Sequence, residues 1–348
     1  MRLLILGTGS MASSHATNFE AIEGVEIVGA VDVDPVRLGA FCDGHKIPMR
    51  FASLEAALDW GEFDAVTNVT PDAAHHATTL AVLRRGKHIF CEKPLATNHA
   101  MALEMTEAAE QAGVVNMVNL SYRNVAELQK AREMVLAGAV GEVRHVEASF
   151  LQSWLVSHAW GDWRTESRWL WRLSKEHGSN GVLGDVGVHI LDFVVYGAAV
   201  DIRSGFGRLQ TFHKAEEDRI GDYPLDANDS FALSVEFTNG ALGLIHASRF
   251  GTGYLNTLRL RIFGDRGALE LQHGVDGSSL RACVGEDVES PIWQDIAVEP
   301  VETNYQRFVE AVTEGRTQDP TFRHATYLQK IIDLAMMSDA ERREESTL

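Results

Sequence analysis

"RLLILGTGSMA" (2–12) opens the chain and decides how its first part folds. "RLLIL" (2–6) is a short, continuous apolar run, which suits a strand covered on both faces. "GTGSMA" (7–12) then turns the chain into a helix. Gly7 permits the tight turn, and Gly9 lets the main chain approach a pyrophosphate. Ala12 stands where a third glycine or an alanine allows close helix packing. Ser10 and Met11 complete the loop, and the helix that begins there offers free N–H groups to phosphates. Alone, such a loop is also an ordinary glycine turn. Asp32 tips the reading. It ends the next strand-like run, "VEIVGAVD" (25–32), where an acid binds a ribose 2′-hydroxyl. Val33 after it brings no positive charge for a 2′-phosphate, so NAD is expected over NADP.

The alternation continues outward. "PVRLGAFCDG" (35–44) has Pro35 at a helix start. "DAVTNVT" (64–70) reads as a strand, and "HHATTLAVLRRG" (75–86) as a helix with Gly86 as its C-terminal cap. "HIFCE" (88–92), a helix over 98–112 and "VVNMVNL" (114–120) complete repeated strand–helix units. These units predict a parallel sheet with helices on both faces. After a helix over 123–137 the rhythm changes. "DSFALSVEFTNGALGLIHASRF" (229–250) holds two strands joined by "TNG", and "TLRLRIFGDRGALELQ" (257–272) repeats the idea around "GDRG". Helices are expected at 303–314 and 322–339. The predicted fold is α/β, with a dinucleotide-binding domain at 1–121. An α+β domain at 122–348 carries a large, mainly antiparallel open sheet, and its C-terminal helices are free to pack back on the first domain.

The 348 residues suit two domains, and 45% hydrophobic with 23% charged residues is ordinary for a globular protein. A net charge of −18 argues against nucleic acid and against an anionic membrane surface. Cys42, Cys91 and Cys283 are odd in number and widely spaced, which points to reduced thiols in the cytoplasm and to no structural metal. The first residues read as a strand rather than a signal peptide, and no run approaches the roughly 20 apolar residues of a membrane span.

Two further motifs carry chemistry. "FCEKPLAT" (90–97) places Lys93 at the carboxyl end of a predicted strand, where open α/β sheets bind ligands. "GVLGDVGVHILDF" (181–193) sets Asp185 four residues before His189 in an otherwise apolar run. A helix there puts both side chains on one face. Such a pair also serves to tie a helix to its neighbour, and half a metal site is a further reading, although no H-E-x-x-H or similar pair accompanies it.

"GTGSMA", "CEKPLA" and "GVLGDVGVH" together resemble the signatures of the glucose–fructose oxidoreductase/inositol dehydrogenase (Gfo/Idh/MocA) family. "TPDAAHHA" (70–77), "GAVGEVRHVE" (138–147) and "YQRFVEAVTEG" (305–315) extend the resemblance along the chain. It implies a Rossmann domain, a second domain with an open antiparallel sheet, a nicotinamide cofactor, and usually a sugar or cyclitol substrate. Gly7, Gly9, Ser10 and Met11 then correspond to the pyrophosphate loop and Asp32 to the ribose acid. Thr70, Pro71 and His75 match a turn along the cofactor. Glu92 and Lys93 match the Glu-Lys-Pro motif, whose lysine touches nicotinamide ribose and substrate. Asp185 and His189 match the substrate-side acid and the catalytic histidine. "NLSYR" (119–123) departs from the family, which often has an aromatic residue or glycine before the arginine. Asn119 on the cofactor side and Arg123 on the substrate side are carried over from it.

The chemistry that follows is hydride transfer at a secondary alcohol or ketone. A neutral imidazole, with pKa near 6.5, takes the hydroxyl proton. Lys93 orients the same oxygen and stabilises its developing charge. Asp185 holds a substrate hydroxyl or biases His189. Other readings are an NAD-dependent glycosidase that oxidises transiently, a dinucleotide-binding sensor without catalysis, and a metal-dependent hydrolase. Five of the seven tryptophans lie in 153–180, where Trp163 and Arg164 are the preferred substrate pair and packing is the competing role. An outer sheet face that is also apolar needs a partner, and the family resemblance implies a homodimer or homotetramer built on that face.

Overall fold

The computed structural model describes residues 1–347. They form two compact units, Met1–Ser121 with Glu302–Gln329, and Tyr122–Val301 with the chain from Lys330 onward. The first unit alternates strand and helix: β1 (Arg2–Leu6), α1 (Ala12–Glu20), β2 (Glu26–Val31), α2 (Pro35–His45), β3 (Met49–Phe51), α3 (Leu54–Trp60), β4 (Ala65–Asn68), α4 (Asp72–Leu83), β5 (His88–Cys91), α5 (His99–Ala112) and β6 (Asn116–Val118). The sheet order is β3-β2-β1-β4-β5-β6, and every pair is parallel. The order reverses between β1 and β4, and ligands bind outside the carboxyl ends of strands at such a switch. Leu3, Leu4 and Ile5 are wholly buried, as a strand covered on both faces requires. Asp34 caps α2 by accepting from the N–H groups of Val36 and Arg37, with Pro35 in the first turn. The sequence reading does not single out β3 or α3. β3 spans three residues, none of them buried, which is too short a run for a strand period to be read.

The second unit contains α6 (Ala126–Leu136), β7 (Val143–Gln152), a short α7 (Ser167–Leu170), and α8 (Val188–Gly197), which a π turn over Leu183–Gly187 precedes. Then come β8 (Ile202–Gln210), the small hairpin β9 (Arg219–Ile220) and β10 (Tyr223–Pro224), β11 (Ser230–Phe237), β12 (Leu242–Ser248), β13 (Asn256–Gly264), β14 (Gly267–Gly274), β15 (Gly277–Val284) and β16 (Gln294–Asp295). The chain ends with α9 (Asn304–Glu314), α10 (Phe322–Glu341) and β17 (Glu345–Ser346). The large sheet runs β16-β15-β14-β13-β7-β12-β11-β8-β17. All its pairs are antiparallel except β7 with β12. The "TNG" turn joins β11 to β12, with Gly240 at φ +83°. α8 packs on β7, β12 and β13. The inward residues Phe150, Leu233, Ile245 and Leu260 are buried beneath the helical side.

The "GVLGDVGVH" stretch corrects the expectation of one regular helix. Its first turn is π and α geometry begins at Val188. Gly181 takes φ +68°, and a Cβ there would lie 2.3 Å from the Asn228 side chain. Asn228 holds this end of the helix by accepting from Val182 N at its carbonyl (2.8 Å) and from Leu183 N at its side chain (3.0 Å). In the first unit, α9 starts in a capping box of Thr303 and Gln306. It brings Tyr305 and Phe308 against Phe19 and Phe90 in an aromatic core where Phe19 meets the other three rings edge-to-face.

Candidate active site

In the first unit, Gly7 has φ +92°, and a Cβ on it would lie 2.8 Å from the Val69 carbonyl oxygen. Only glycine fits this turn. Gly9 is different: a Cβ would project into open space, the room a phosphate needs. Ala12 is buried, and Met11 at the start of α1 makes no side-chain cap hydrogen bond to the helix N-terminus. The loop therefore fits a dinucleotide pyrophosphate. Asp32 accepts from Thr8 N (2.8 Å), Thr8 Oγ1 (2.7 Å) and Asp34 N (2.9 Å). Arg37 also donates to it, through Nη2 (2.9 Å) and Nε (3.2 Å). Burial opposes ionisation, but Arg37, Asp34 and Thr8 together hold the carboxyl well below the usual carboxylate range. Val33 beside it is 86% exposed.

The Glu92-Lys93-Pro94 turn follows β5. Glu92 is buried, and its Oε1 lies 2.7 Å from His15 Nε2 and accepts from Asn119 Nδ2 at 2.7 Å. Its other oxygen accepts from Lys93 N at 3.2 Å. Burial pushes Glu92 up, while His15, Asn119 and the Lys93 charge outweigh it and hold the carboxyl at about 2. Asn119 donates also to the Tyr305 hydroxyl (3.1 Å). Glu92 and Asn119, expected on the cofactor side, thus form a buried network behind Lys93. Thr70 donates to Asn68 Oδ1 through N (3.2 Å) and Oγ1 (2.7 Å), which shapes the turn at Pro71. His75 is wholly buried under that turn.

In the second unit, His189 keeps 8% of its surface exposed on the first turn of α8. Tyr122 packs edge-on against it, with ring centroids 4.9 Å apart. Asn256 Nδ2 donates to the Tyr122 hydroxyl (2.9 Å), and burial pushes that phenol up to about 12. Asp185 accepts from Arg249 Nη2 at 3.0 Å, with Arg172 Nε 3.5 Å away. Arg249 is wholly buried, donates to the Arg172 carbonyl (3.0 Å) and lies over the Trp154 ring. Arg123 is buried in a bidentate ion pair with Asp192, over the Tyr196 ring. That geometry fastens α8 and leaves the Arg123 fork turned to protein. Trp163 is likewise in the core of the Trp-rich segment, its indole N–H donating to the Leu155 carbonyl (3.2 Å) and Arg164 lying over its ring.

Residues 1–120 match the oxidoreductase family with an NAD-binding Rossmann fold, and residues 128–270 match the GFO/IDH/MocA C-terminal domain. The chain belongs to the Gfo/Idh/MocA oxidoreductase family. Among its relatives, the 1,5-anhydro-D-fructose reductase of Ensifer adhaerens is 31% identical over 266 residues, covering 76% of this chain and 74% of that enzyme. The levoglucosan dehydrogenase of Pseudarthrobacter phenanthrenivorans is 26% identical over 239 residues, a match that spans 63% of this chain and 60% of the dehydrogenase. The crystal structure of an oxidoreductase domain protein from Kribbella flavida superposes with a TM-score of 0.88 at 26% identity, over 99% of this chain and 98% of that one. As a Gfo/Idh/MocA member the chain is an NAD-binding dehydrogenase or reductase with a Rossmann unit and a mostly antiparallel second sheet.

Sequence reasoning missed His15, Tyr122 and Arg249. His15 had a signal: it sits among Ala12, Ala16 and Phe19 on the buried face of α1, where a polar residue needs a partner. Tyr122 and Arg249 had none, since each lies far along the chain from what it touches.

Proposed function

We propose that this oxidoreductase transfers hydride between NAD and a secondary alcohol or ketone of a sugar, sugar derivative or cyclitol. The observation that carries the reading is the Asp185–His189 pair. An acid anchored by a wholly buried arginine stands one turn before an imidazole that retains a small accessible surface. Charged groups set in a largely apolar helix cost stability even when paired, and such groups cluster at functional sites. Bound NAD supplies the hydride acceptor. His189, as the neutral imidazole, takes the hydroxyl proton, and Lys93 donates to the same oxygen as negative charge develops on it. In reduction His189 returns the proton. Asp185 orients a neighbouring hydroxyl. The named relatives acting on anhydrosugars and sugar derivatives support the substrate class. The buried, free thiols Cys42, Cys91 and Cys283 support a cytoplasmic setting. The exposed apolar residues of the second sheet support a homo-oligomer.

Cofactor reduction against a panel of sugars, anhydrosugars and cyclitols tests the reading. At least one should drive net NADH formation, and His189→Ala should lower kcat by roughly 10²–10⁴-fold while leaving NAD affinity unchanged. Near-normal turnover in His189→Ala would overturn the assignment. Aglycone release without net NADH would point to the glycosidase chemistry instead.

A further inference from the structure

His75 lies in the first turn of α4 with no exposed surface. Both ring nitrogens face main-chain carbonyls: Nδ1 is 2.8 Å from the Pro94 oxygen, and Nε2 is 2.9 Å from the Thr70 oxygen. A neutral imidazole carries one N–H and one bare lone pair. In either tautomer one contact would set lone pair against lone pair, in a place closed to water. Turning the ring over would present carbon to both oxygens and leave them without these donors. The imidazolium, with two N–H groups, satisfies both.

The two carbonyls have particular addresses. Thr70 follows β4 and Pro94 follows Lys93 after β5, so both lie at the carboxyl ends of adjacent parallel strands. We propose that His75 is a permanently protonated clamp that ties the Thr70–Pro71 turn to the Lys93–Pro94 turn and so positions Lys93. It is a positioning residue, because its ring is enclosed and both nitrogens are engaged with the main chain. The catalytic half of this inference rests on the role given to Lys93 above; the protonation half does not.

Burial and the positive end of α4 oppose the cation. Negative charge on the Cys91 sulfur at the end of β5, the hydrogen bond between that sulfur and the ring, the Asp72 carboxylate on α4 and the Pro94 carbonyl favour it, and the pKa is pushed up to about 10. Folded above its unfolded value near 6.5, the group stabilises the protein fully below about pH 6.5, and that contribution is lost as pH rises through about 10.

Histidine-selective ¹⁵N NMR tests the proposal. Of the 14 histidines, one should keep both ring nitrogens protonated at about pH 9, and its signal should vanish in His75→Gln. If every histidine shows a bare nitrogen at that pH, the clamp is wrong, whether or not the variant folds. In the holoenzyme, His75→Gln should lower kcat by about tenfold or more while the Kd for NADH stays within about twofold. An unchanged kcat would remove the positioning role. A parallel loss of NADH affinity would make His75 a cofactor contact. Should no sugar prove to be a substrate, the NMR result would still stand on its own.

Discussion

Arg37 is half exposed against Asp32, with Nη2 donating to Oδ1 at 2.9 Å and Nε donating to Oδ2 at 3.2 Å. By sequence, Asp32 would repel a 2′-phosphate and the Val33 that follows it brings no positive charge. In the fold the nearest cation is Arg37, one helical turn further on, and it offsets part of the repulsion a 2′-phosphate would meet. Ribose hydroxyls binding Asp32 would take the place of these exposed Arg37 donors, while the buried Thr8 and Asp34 donors stay. NAD is therefore expected over NADP, with the two side chains pulling in opposite directions. Arg37→Ala should widen the preference in kcat/KM. Asp32→Ala, which frees Arg37 for a phosphate, should narrow it by on the order of tenfold. Equal kcat/KM for the two cofactors in the unaltered enzyme would refute this account.

Among the elements, the helix that carries Asp185 and His189 is the one with unusual geometry. π turns occur mostly as single turns, often at functional sites. Here the π turn covers Asp185 and hands over to α geometry one residue before His189. The wider turn is locked from outside by Asn228 at its start and by Arg249 on Asp185. Burial pulls the Arg249 pKa down, with Asp185 and Asp229 opposing, so the guanidinium depends on its anionic neighbours. Arg249→Met breaks that arrangement and leaves Asp185 without its buried partner. It should cost about 3 kcal/mol in the unfolding of the second unit, read by denaturant titration. Arg249→Met with unchanged stability would mean that Asp185 is held by other contacts.

At the scale of the molecule, the nine-stranded sheet presents Leu242 (59% exposed) and Leu244 (52% exposed) from the outer face of β12, near the middle of the sheet. Around them lie Glu147 and Arg261, which pair at 3.2 Å, and the side chains of Ser149 and His246. Apolar residues ringed by charge on a broad sheet are what a subunit contact needs. Sedimentation should show a dimer or tetramer at micromolar concentration, and Leu242→Glu with Leu244→Glu should shift it to monomer. A monomeric parent protein would remove the proposal.

Much of this was legible in short windows of sequence. Alternating apolar runs and glycine turns give the six parallel strands all but β3, and "TNG" and "GDRG" mark the two hairpins at the turns seen. These signals are local because periodicity, φ sign and capping act over one or two turns of chain. Lys93, Asp185 and His189 could be picked out for the same reason: each sits in a compact motif. What holds them could not. His15 reaches Glu92 across 77 positions, Arg249 reaches Asp185 across 64, and Asn119 meets Tyr305 across 186. Arg123 is expected at the substrate from the family resemblance and Trp163 from its residue type, and in the fold their polar atoms engage Asp192 and Leu155. By itself the sequence determined most of the elements and which side chains are candidates for the chemistry. The tertiary structure alone decided which of those side chains are satisfied by the protein, because a buried polar group takes whatever partner the packed chain brings within hydrogen-bonding distance.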